Sequence, residues 1–267
     1  MPNPRLSMNH RALSIAALQA LKRPWVIAHR GFSGQFPENT MVAFEAAVEA
    51  GADMIELDVS LSQDRVPVVI HDETLNRTTS GSGRVQDFTL PELQRLDAGS
   101  WFGEPFRGAR IPTLEEVFRQ VGPQTSINVE LKPEGFEKDN PEDALEQHVL
   151  DLIRKHGLNE STLISSFEWR FFPRIRQLNS EIHLAVLWED GPLKSALETA
   201  QANRAITLNP DKGQLTARLV EQAHAAGLRV LSYTIDTRER MQKVLSWGVD
   251  GLFTNEPVLM REVLSAG

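Results

Sequence analysis

Trp25-Val26-Ile27-Ala28-His29-Arg30-Gly31 is a short apolar run that stops on an imidazole, a guanidinium and a glycine. An apolar run this short, with a β-branched pair, reads as a buried strand. The trio after it suits an anionic ligand and proton transfer at a strand end, with glycine allowing a sharp turn. The same grammar repeats down the chain. Extended segments are expected at 25–29, 54–59, 66–70, 126–131, 162–166, 183–187, 205–208, 229–233 and 250–254. Helical patterns lie between most of them. Thr40–Ala50 places Phe44, Ala47 and Val48 on one face and stops at Gly51. Pro141–His156, Leu215–Ala226 and Thr237–Trp247 stop at Gly157, Gly227 and Gly248. Thr113-Leu-Glu-Glu116 and Thr89-Leu-Pro-Glu92 are capping-box starts.

Strand, helix, glycine, strand is the signature of parallel βα units. Eight of them close a barrel of typically about 250 residues, and the chain has 267. The expected fold class is therefore α/β, a (β/α)8 TIM barrel with a small insertion. Nine extended segments compete for eight places, and the surplus is expected within 54–70, where Gln63-Asp64-Arg65 can turn a hairpin. Residues 72–112, rich in Gly, Ser, Thr and charges, read as an insertion standing on the barrel. A doubly wound open sheet is the competing architecture, but no Gly-rich phosphate loop follows the first strand. The whole chain, 1–267, is expected to be one domain. Residues 1–24 read as a helical extension closing one end, because Gln19 interrupts the apolar stretch and no clear small-residue cleavage site follows.

Composition narrows the chemistry. At this length folding buries roughly 75% of the extended chain's surface, so no disulfide or structural metal is needed for stability. The chain has no cysteine, which excludes thiolate catalysis and Cys-ligated metal centres. A net charge of −8 argues against nucleic acid as a partner. No apolar run approaches the ~18 residues of a membrane span, so no membrane insertion and a cytoplasmic location are expected. A small-molecule partner fits this composition, and the oligomeric state stays open.

The strand ends carry His29-Arg30, Glu56 with Asp58, His71-Asp72, Glu130 with Lys132, Ser165-Ser166, Asn209, Tyr233-Thr234 and Thr254-Asn255. Catalytic groups of a barrel cluster at these ends. Glu56 and Asp58, two apart on a strand, point the same way against the apolar Ile55, Leu57 and Val59. Glu130 and Lys132 repeat the spacing. Three carboxylates converging in one mouth suit a hard divalent cation, Mg²⁺ or Ca²⁺. The plainer alternative is a structural network of these acids with Arg30 and Lys132. Two histidines in such a mouth suit a general base and a general acid. His148, His156, His183 and His224 have no comparable setting and read as structural. Arg30 and Lys132 supply fixed positive charge for a phosphoryl group. Glycoside hydrolysis also uses two carboxylates. It would leave both cations and both histidines without work, and of five Trp only Trp188 clearly ends a strand.

The ordered set His29-Arg30-Gly31, Pro37-Glu38-Asn39-Thr40, Glu56-Leu57-Asp58, His71-Asp72, Glu130-Leu131-Lys132, Ser166-Phe167 and Gly248–Pro257 resembles the motifs of glycerophosphodiester phosphodiesterases. The resemblance runs from about residue 25 to 260. Leu96–Trp101 and Ala226–Thr234 are similar to the cytosolic bacterial members of the glycerol-3-phosphate uptake system. It implies a (β/α)8 barrel with a small insertion and metal-dependent cleavage of glycerophosphodiesters, such as glycerophosphocholine or glycerophosphoethanolamine, into glycerol 3-phosphate and an alcohol. It further implies that Glu56, Asp58 and Glu130 bind the divalent cation, that His29 and His71 are the acid/base pair, and that Arg30 and Lys132 hold the phosphate. His71 is assigned here as the acid, a split that the sequence itself leaves open. Asn39 supports the site or caps the helix starting near Thr40. Tyr233 and Asn255, where many members carry Trp and Asp, are placed by the resemblance near the substrate's alcohol groups. A related phospholipase D-like enzyme or lyase acting on lysolipid headgroups would use the same residues, and a non-catalytic barrel would lack at least one of them.

Overall fold

The computed structural model describes residues 11–266, so the first ten residues of the expected N-terminal extension lie outside the described part. Nine strands are found there: β1 Trp25–Ala28, β2 Met54–Leu61, β3 Pro67–Val69, β4 Ser126–Leu131, β5 Thr162–Ser166, β6 His183–Trp188, β7 Thr207–Pro210, β8 Arg229–Ser232 and β9 Gly251–Thr254. All but β3 pair in parallel in the order β1-β2-β4-β5-β6-β7-β8-β9, and β1 pairs again with β9. That closes an eight-stranded parallel barrel, as the sequence pattern predicts. The surplus strand is β3, which pairs antiparallel with β2 through Val59 and Val69. Its hairpin turns through Arg65 at φ 64°, with the Ser62 hydroxyl donating to Asp64 at 2.7 Å. The seventh strand begins two residues later than expected and includes Pro210. Proline is tolerated there because it ends the strand, and its carbonyl accepts from Tyr233 N–H and the Ser232 hydroxyl.

The described helices are α1 Ile15–Gln19, α2 Met41–Glu49, α3 Leu90–Leu93, α4 Leu114–Gln120, α5 Leu145–His156, α6 Phe171–Leu178, α7 Leu193–Ala202, α8 Ala217–Ala225, α9 Arg238–Leu245 and α10 Pro257–Ser265. None is long and apolar enough to cross a membrane. Both predicted capping boxes form: Thr89 and Thr113 donate through N–H and hydroxyl to Glu92 and Glu116. The four glycines read as helix stops all have positive φ, where any Cβ would be strained.

Alternation along the strands sorts the core into two shells. Outward residues such as Val26, Leu57, Val129, Ile164, Val186 and Leu208 pack against the helices. Trp188 belongs to that outer shell, so it is not a platform inside the barrel. Inward residues change character along the axis. At the N-terminal end Trp25, Ile27, Met54, Leu163, Ala185, Leu231 and Phe253 join Ile15 and Leu18 of α1. Burying Ile15 and Leu18 completely contributes about 1.5–3 kcal/mol each. The Trp25 indole N–H donates to the Leu18 carbonyl at 2.8 Å, fixing α1 across that end. Higher up, the inward positions are Asn128, Ser165, Thr207 and Asn209, and above them the charged groups. Residues after β3 form a wall with its own small core of Leu75, Val85, Leu93, Ala98 and Ile111.

Candidate active site

The turn after β1 is fixed from several sides. His29 N–H donates to Thr254 O at 3.0 Å, and Arg30 N–H donates to Glu56 Oε2 at 2.8 Å. Arg30 and Asn39 both have φ 55°, and the Asn39 N–H donates to the Arg30 carbonyl at 3.0 Å. Left-handed geometry at a non-glycine costs of order 1–3 kcal/mol and persists only where neighbours impose it. Gly31 is required: its φ is 82°, and a Cβ there would lie 2.7 Å from the Ala43 carbonyl carbon.

Glu56, Asp58 and Glu130 come together with oxygen atoms within 4.8 Å of one another. The plainer alternative is partly realised. Lys132 Nζ lies 2.8 Å from Glu130 Oε1 and 3.4 Å from Asp58 Oδ1. Arg30 Nε lies 3.4 Å from Asp58 Oδ2. Asn39 Nδ2 donates to Asp58 Oδ2 at 2.8 Å, so this amide reaches the acid cluster and does not cap α2. The network leaves a remainder: Glu56 Oε1 is buried and finds no partner among the described residues. Burial and the neighbouring Asp58 and Glu130 push the Glu56 carboxyl well above its usual range. Burial and Asp58 push Glu130 up to about 7. Asp58 moves the other way: burial opposes its ionisation, but Lys132 and Arg30 outweigh that and hold it well down. An ionised acid beside two that burial and neighbouring charge push up, with one orphaned oxygen, forms a donor set for a hard divalent cation.

The two imidazoles are held differently. His29 Nδ1 lies 2.8 Å from Asn255 Oδ1. The Asn255 amide is oriented by Asp236, which accepts from its N–H at 2.7 Å and from its Nδ2 at 3.0 Å. An acceptor at Nδ1 keeps the proton there and leaves Nε2 as the basic atom. Burial and Arg30 lower His29 to about 4, so it is neutral at pH 7. His71 does not end a barrel strand. It returns to the mouth on the far side of the β2–β3 hairpin, where Ile70 N–H donates to Asp58 O at 3.0 Å. Its Nδ1 lies 2.7 Å from the Asp72 carboxylate. Burial lowers His71 too, but Asp58 and Asp72 act against that shift. A carboxylate partner stabilises imidazolium better than an amide oxygen does, so His71 is the readier proton carrier.

These groups open into a cavity of about 180 Å³. His29, Arg30, Glu56, His71 and Glu130 line its charged side, and Phe167, Leu187, Tyr233 and Phe253 its apolar side, with Glu189 at the border. Burial first, then Glu189 and Asp211, holds the Tyr233 phenol neutral. Asn255 is not beside that apolar side; it stands behind His29. A larger cavity of about 580 Å³ lies on the flank between α4, α5 and the start of β3 and is lined by none of the mouth residues, so size does not mark the site. Glu38, Arg77, Asp236 and Glu189 escaped the sequence reading. Glu38 stood in view beside Asn39, and Asp236 and Glu189 each lie just beyond a strand end. Arg77 carried no such signal.

A barrel mouth with converging acids, fixed cations and two imidazoles carries the groups that phosphoester cleavage needs, and its acids could hold a metal ion. Residues 29–259 match the family model of the glycerophosphoryl diester phosphodiesterase family. A glycerophosphodiester phosphodiesterase of Caldanaerobacter subterraneus subsp. tengcongensis is 39% identical over 243 residues, covering 91% of this chain and 98% of that one. One of Bacillus subtilis is 34% identical, covering 94% and 90%. Among solved structures, an Oleispira antarctica phosphodiesterase in complex with the product sn-glycerol-3-phosphate has TM-score 0.83 and 33% identity, covering 91% of this chain and 97% of that one. The chain belongs to the glycerophosphoryl diester phosphodiesterase family and is an enzyme of glycerophosphodiester hydrolysis.

Proposed function

We propose that this mouth cleaves glycerophosphodiesters such as glycerophosphocholine and glycerophosphoethanolamine into glycerol 3-phosphate and an alcohol, with one divalent cation, Mg²⁺ or Ca²⁺, held by Glu56, Asp58 and Glu130. The observation that carries this reading is the buried acid trio with an unpartnered Glu56 oxygen, whose Glu56 and Glu130 line the same cavity as two imidazoles. The product held by the Oleispira relative supports the choice of product. A bound cation supplies Lewis-acid polarisation of a phosphoryl oxygen and offsets developing negative charge.

The chain's own residues do the rest. Arg30 and Lys132 draw the phosphate toward the acids and offset its charge. His29, with its proton held on Nδ1 by Asn255, offers Nε2 as general base to the attacking hydroxyl. His71 acts as general acid and protonates the leaving alkoxide, its ring oriented by Asp72. Asn39 fixes the Asp58 carboxylate, and Tyr233 with Phe167 and Phe253 forms the apolar wall against carbon. In this reading the chain is one domain, and the insertion at about 72–112 is a wall of its site.

The test is a panel of glycerophosphodiesters assayed with Mg²⁺, Ca²⁺ and Mn²⁺ and coupled to glycerol 3-phosphate detection. Glycerol 3-phosphate release is expected to vanish in EDTA and to return with one of these ions. EDTA-insensitive release would overturn the metal assignment. Faster turnover of lysophospholipid vesicles than of soluble diesters would move the substrate class to lipid.

A further inference from the structure

The insertion holds an arginine that touches both halves of the chemistry. Arg77 uses four of its five N–H groups in two forks. Nε and Nη2 donate to the two Asp72 oxygens, and Nη1 and Nη2 donate to the two Glu38 oxygens, all at 2.8 Å. Glu38 in turn accepts from Arg30 Nη1 at 2.8 Å, and Asp72 faces His71 Nδ1 at 2.7 Å. The result is one continuous chain: Arg30, Glu38, Arg77, Asp72, His71. We propose that Arg77 is a positioning residue of this reaction, setting the ring of His71 through Asp72 and the guanidinium of Arg30 through Glu38.

Exposed ion pairs are usually worth little, and the Arg77 side chain is 44% exposed. Two features set this one apart. Both carboxylates are gripped in bidentate geometry, which fixes their planes as well as their distances. Both are also largely buried at 13% and 26% side-chain exposure, and each already serves a group on the cavity wall. The arginine itself stands on pinned backbone. Leu75 beside it is fully buried, the Thr79 hydroxyl donates to Leu75 O at 2.7 Å, and Thr74 bridges to Arg84. The insertion thus sends one guanidinium with two forks back into the mouth. Without it, Asp72 could rotate away from Nδ1, and the His71 imidazolium would lose the partner that holds its ring with Nε2–H toward the substrate.

This inference rests on the roles proposed for His71 and Arg30, so its experiment keeps the two apart. Arg77→Ala and Arg77→Lys are compared on glycerophosphocholine and on a glycerophosphodiester with a nitrophenyl leaving group, which needs no protonation. Arg77→Ala is expected to lower kcat on glycerophosphocholine about 10–100-fold, to raise KM, and to lower kcat on the nitrophenyl diester far less. Lysine keeps the charge but cannot fork two carboxylates, so Arg77→Lys recovers less than half of the activity. Added guanidinium ion restores part of the kcat of Arg77→Ala, an effect that a merely structural defect would not show. A kcat within twofold of wild type, or equal loss on both substrates without guanidinium rescue, overturns the proposal. If Arg77→Ala fails to fold, Asp72→Asn and Glu38→Gln each remove one fork: the first is expected to lower kcat, the second to raise KM, and no change in either also overturns it. His71→Ala serves as the separate control. Equal loss on both substrates there ends the acid role of His71, while guanidinium rescue still judges Arg77.

Discussion

His29 and His71 are the same side chain given different work by one neighbouring atom each. His29 faces an amide oxygen and lies at about 4 through burial and Arg30. His71 faces a carboxylate. Asn255→Asp places a carboxylate against His29 Nδ1 as well. It favours imidazolium, so the pKa of His29 rises and Nε2 stays protonated to higher pH. The acid limb of the kcat/KM profile is therefore expected to move up by about one unit or more. An unmoved limb would show that His29 is not the base. His71→Ala is expected to cost on the order of 10²–10⁴ in kcat on glycerophosphocholine and under about tenfold on the nitrophenyl diester. The sequence makes both histidines visible because each follows an apolar run. It cannot show the partners that distinguish them: Asn255 is 226 positions from His29 in the chain, and no periodicity links them.

At the scale of elements, the acid cluster was legible because strand alternation is local: Glu56 with Asp58 sit two apart on β2, and Glu130 on the neighbouring β4 stands two before Lys132, just past that strand's end. The Arg30–Glu38–Arg77–Asp72–His71 chain was not, because it crosses from a strand end to an insertion with no repeating pattern. A similar through-space latch closes the opposite end of the barrel. Asp53, just before β2, accepts from Arg23 at 2.6 and 2.8 Å, from Val26 N–H at 2.9 Å and from Arg261 of α10 at 2.7 Å. Burial alone would raise the Asp53 carboxyl, but Arg23, Val26 and Arg261 more than reverse it. A carboxyl lowered in the folded state stabilises above its unfolded value of ~4 and loses that contribution as pH falls through the lowered folded value. Asp53→Asn is expected to cost about 2 kcal/mol at pH 7, roughly 4–8 °C in Tm. Unfolding curves at pH 7 and pH 3 check this. The deficit should shrink at pH 3, and a deficit that does not shrink would show that Asp53 acts through packing and not charge.

Across the whole molecule, the barrel interior runs from an apolar floor under α1, through a layer of amides and hydroxyls, to a charged mouth. That gradient places the costliest groups where a ligand can offset them. Glu130 is pushed up to about 7 and Glu56 well above its usual range, while their unfolded values lie near ~4.3. Groups raised in the folded state bind more protons folded than unfolded. Their contribution is full below the unfolded value and is lost as pH rises through the folded one, so the ion-free protein should become less stable between about pH 5 and pH 8. A divalent cation requires these carboxylates deprotonated, so its binding releases protons and strengthens with pH, up to about tenfold per unit for each proton displaced. The two melting temperatures should therefore separate as pH rises: falling without added ion in EDTA, and held up with saturating Mg²⁺ or Ca²⁺. At ~100 times the Kd the ion contributes about 2.7 kcal/mol. Calorimetric titrations in two buffers of different ionisation enthalpy count the protons. Equal apparent enthalpies in both buffers near pH 6.5, with an affinity indifferent to pH, would mean that Glu56, Asp58 and Glu130 do not hold the cation.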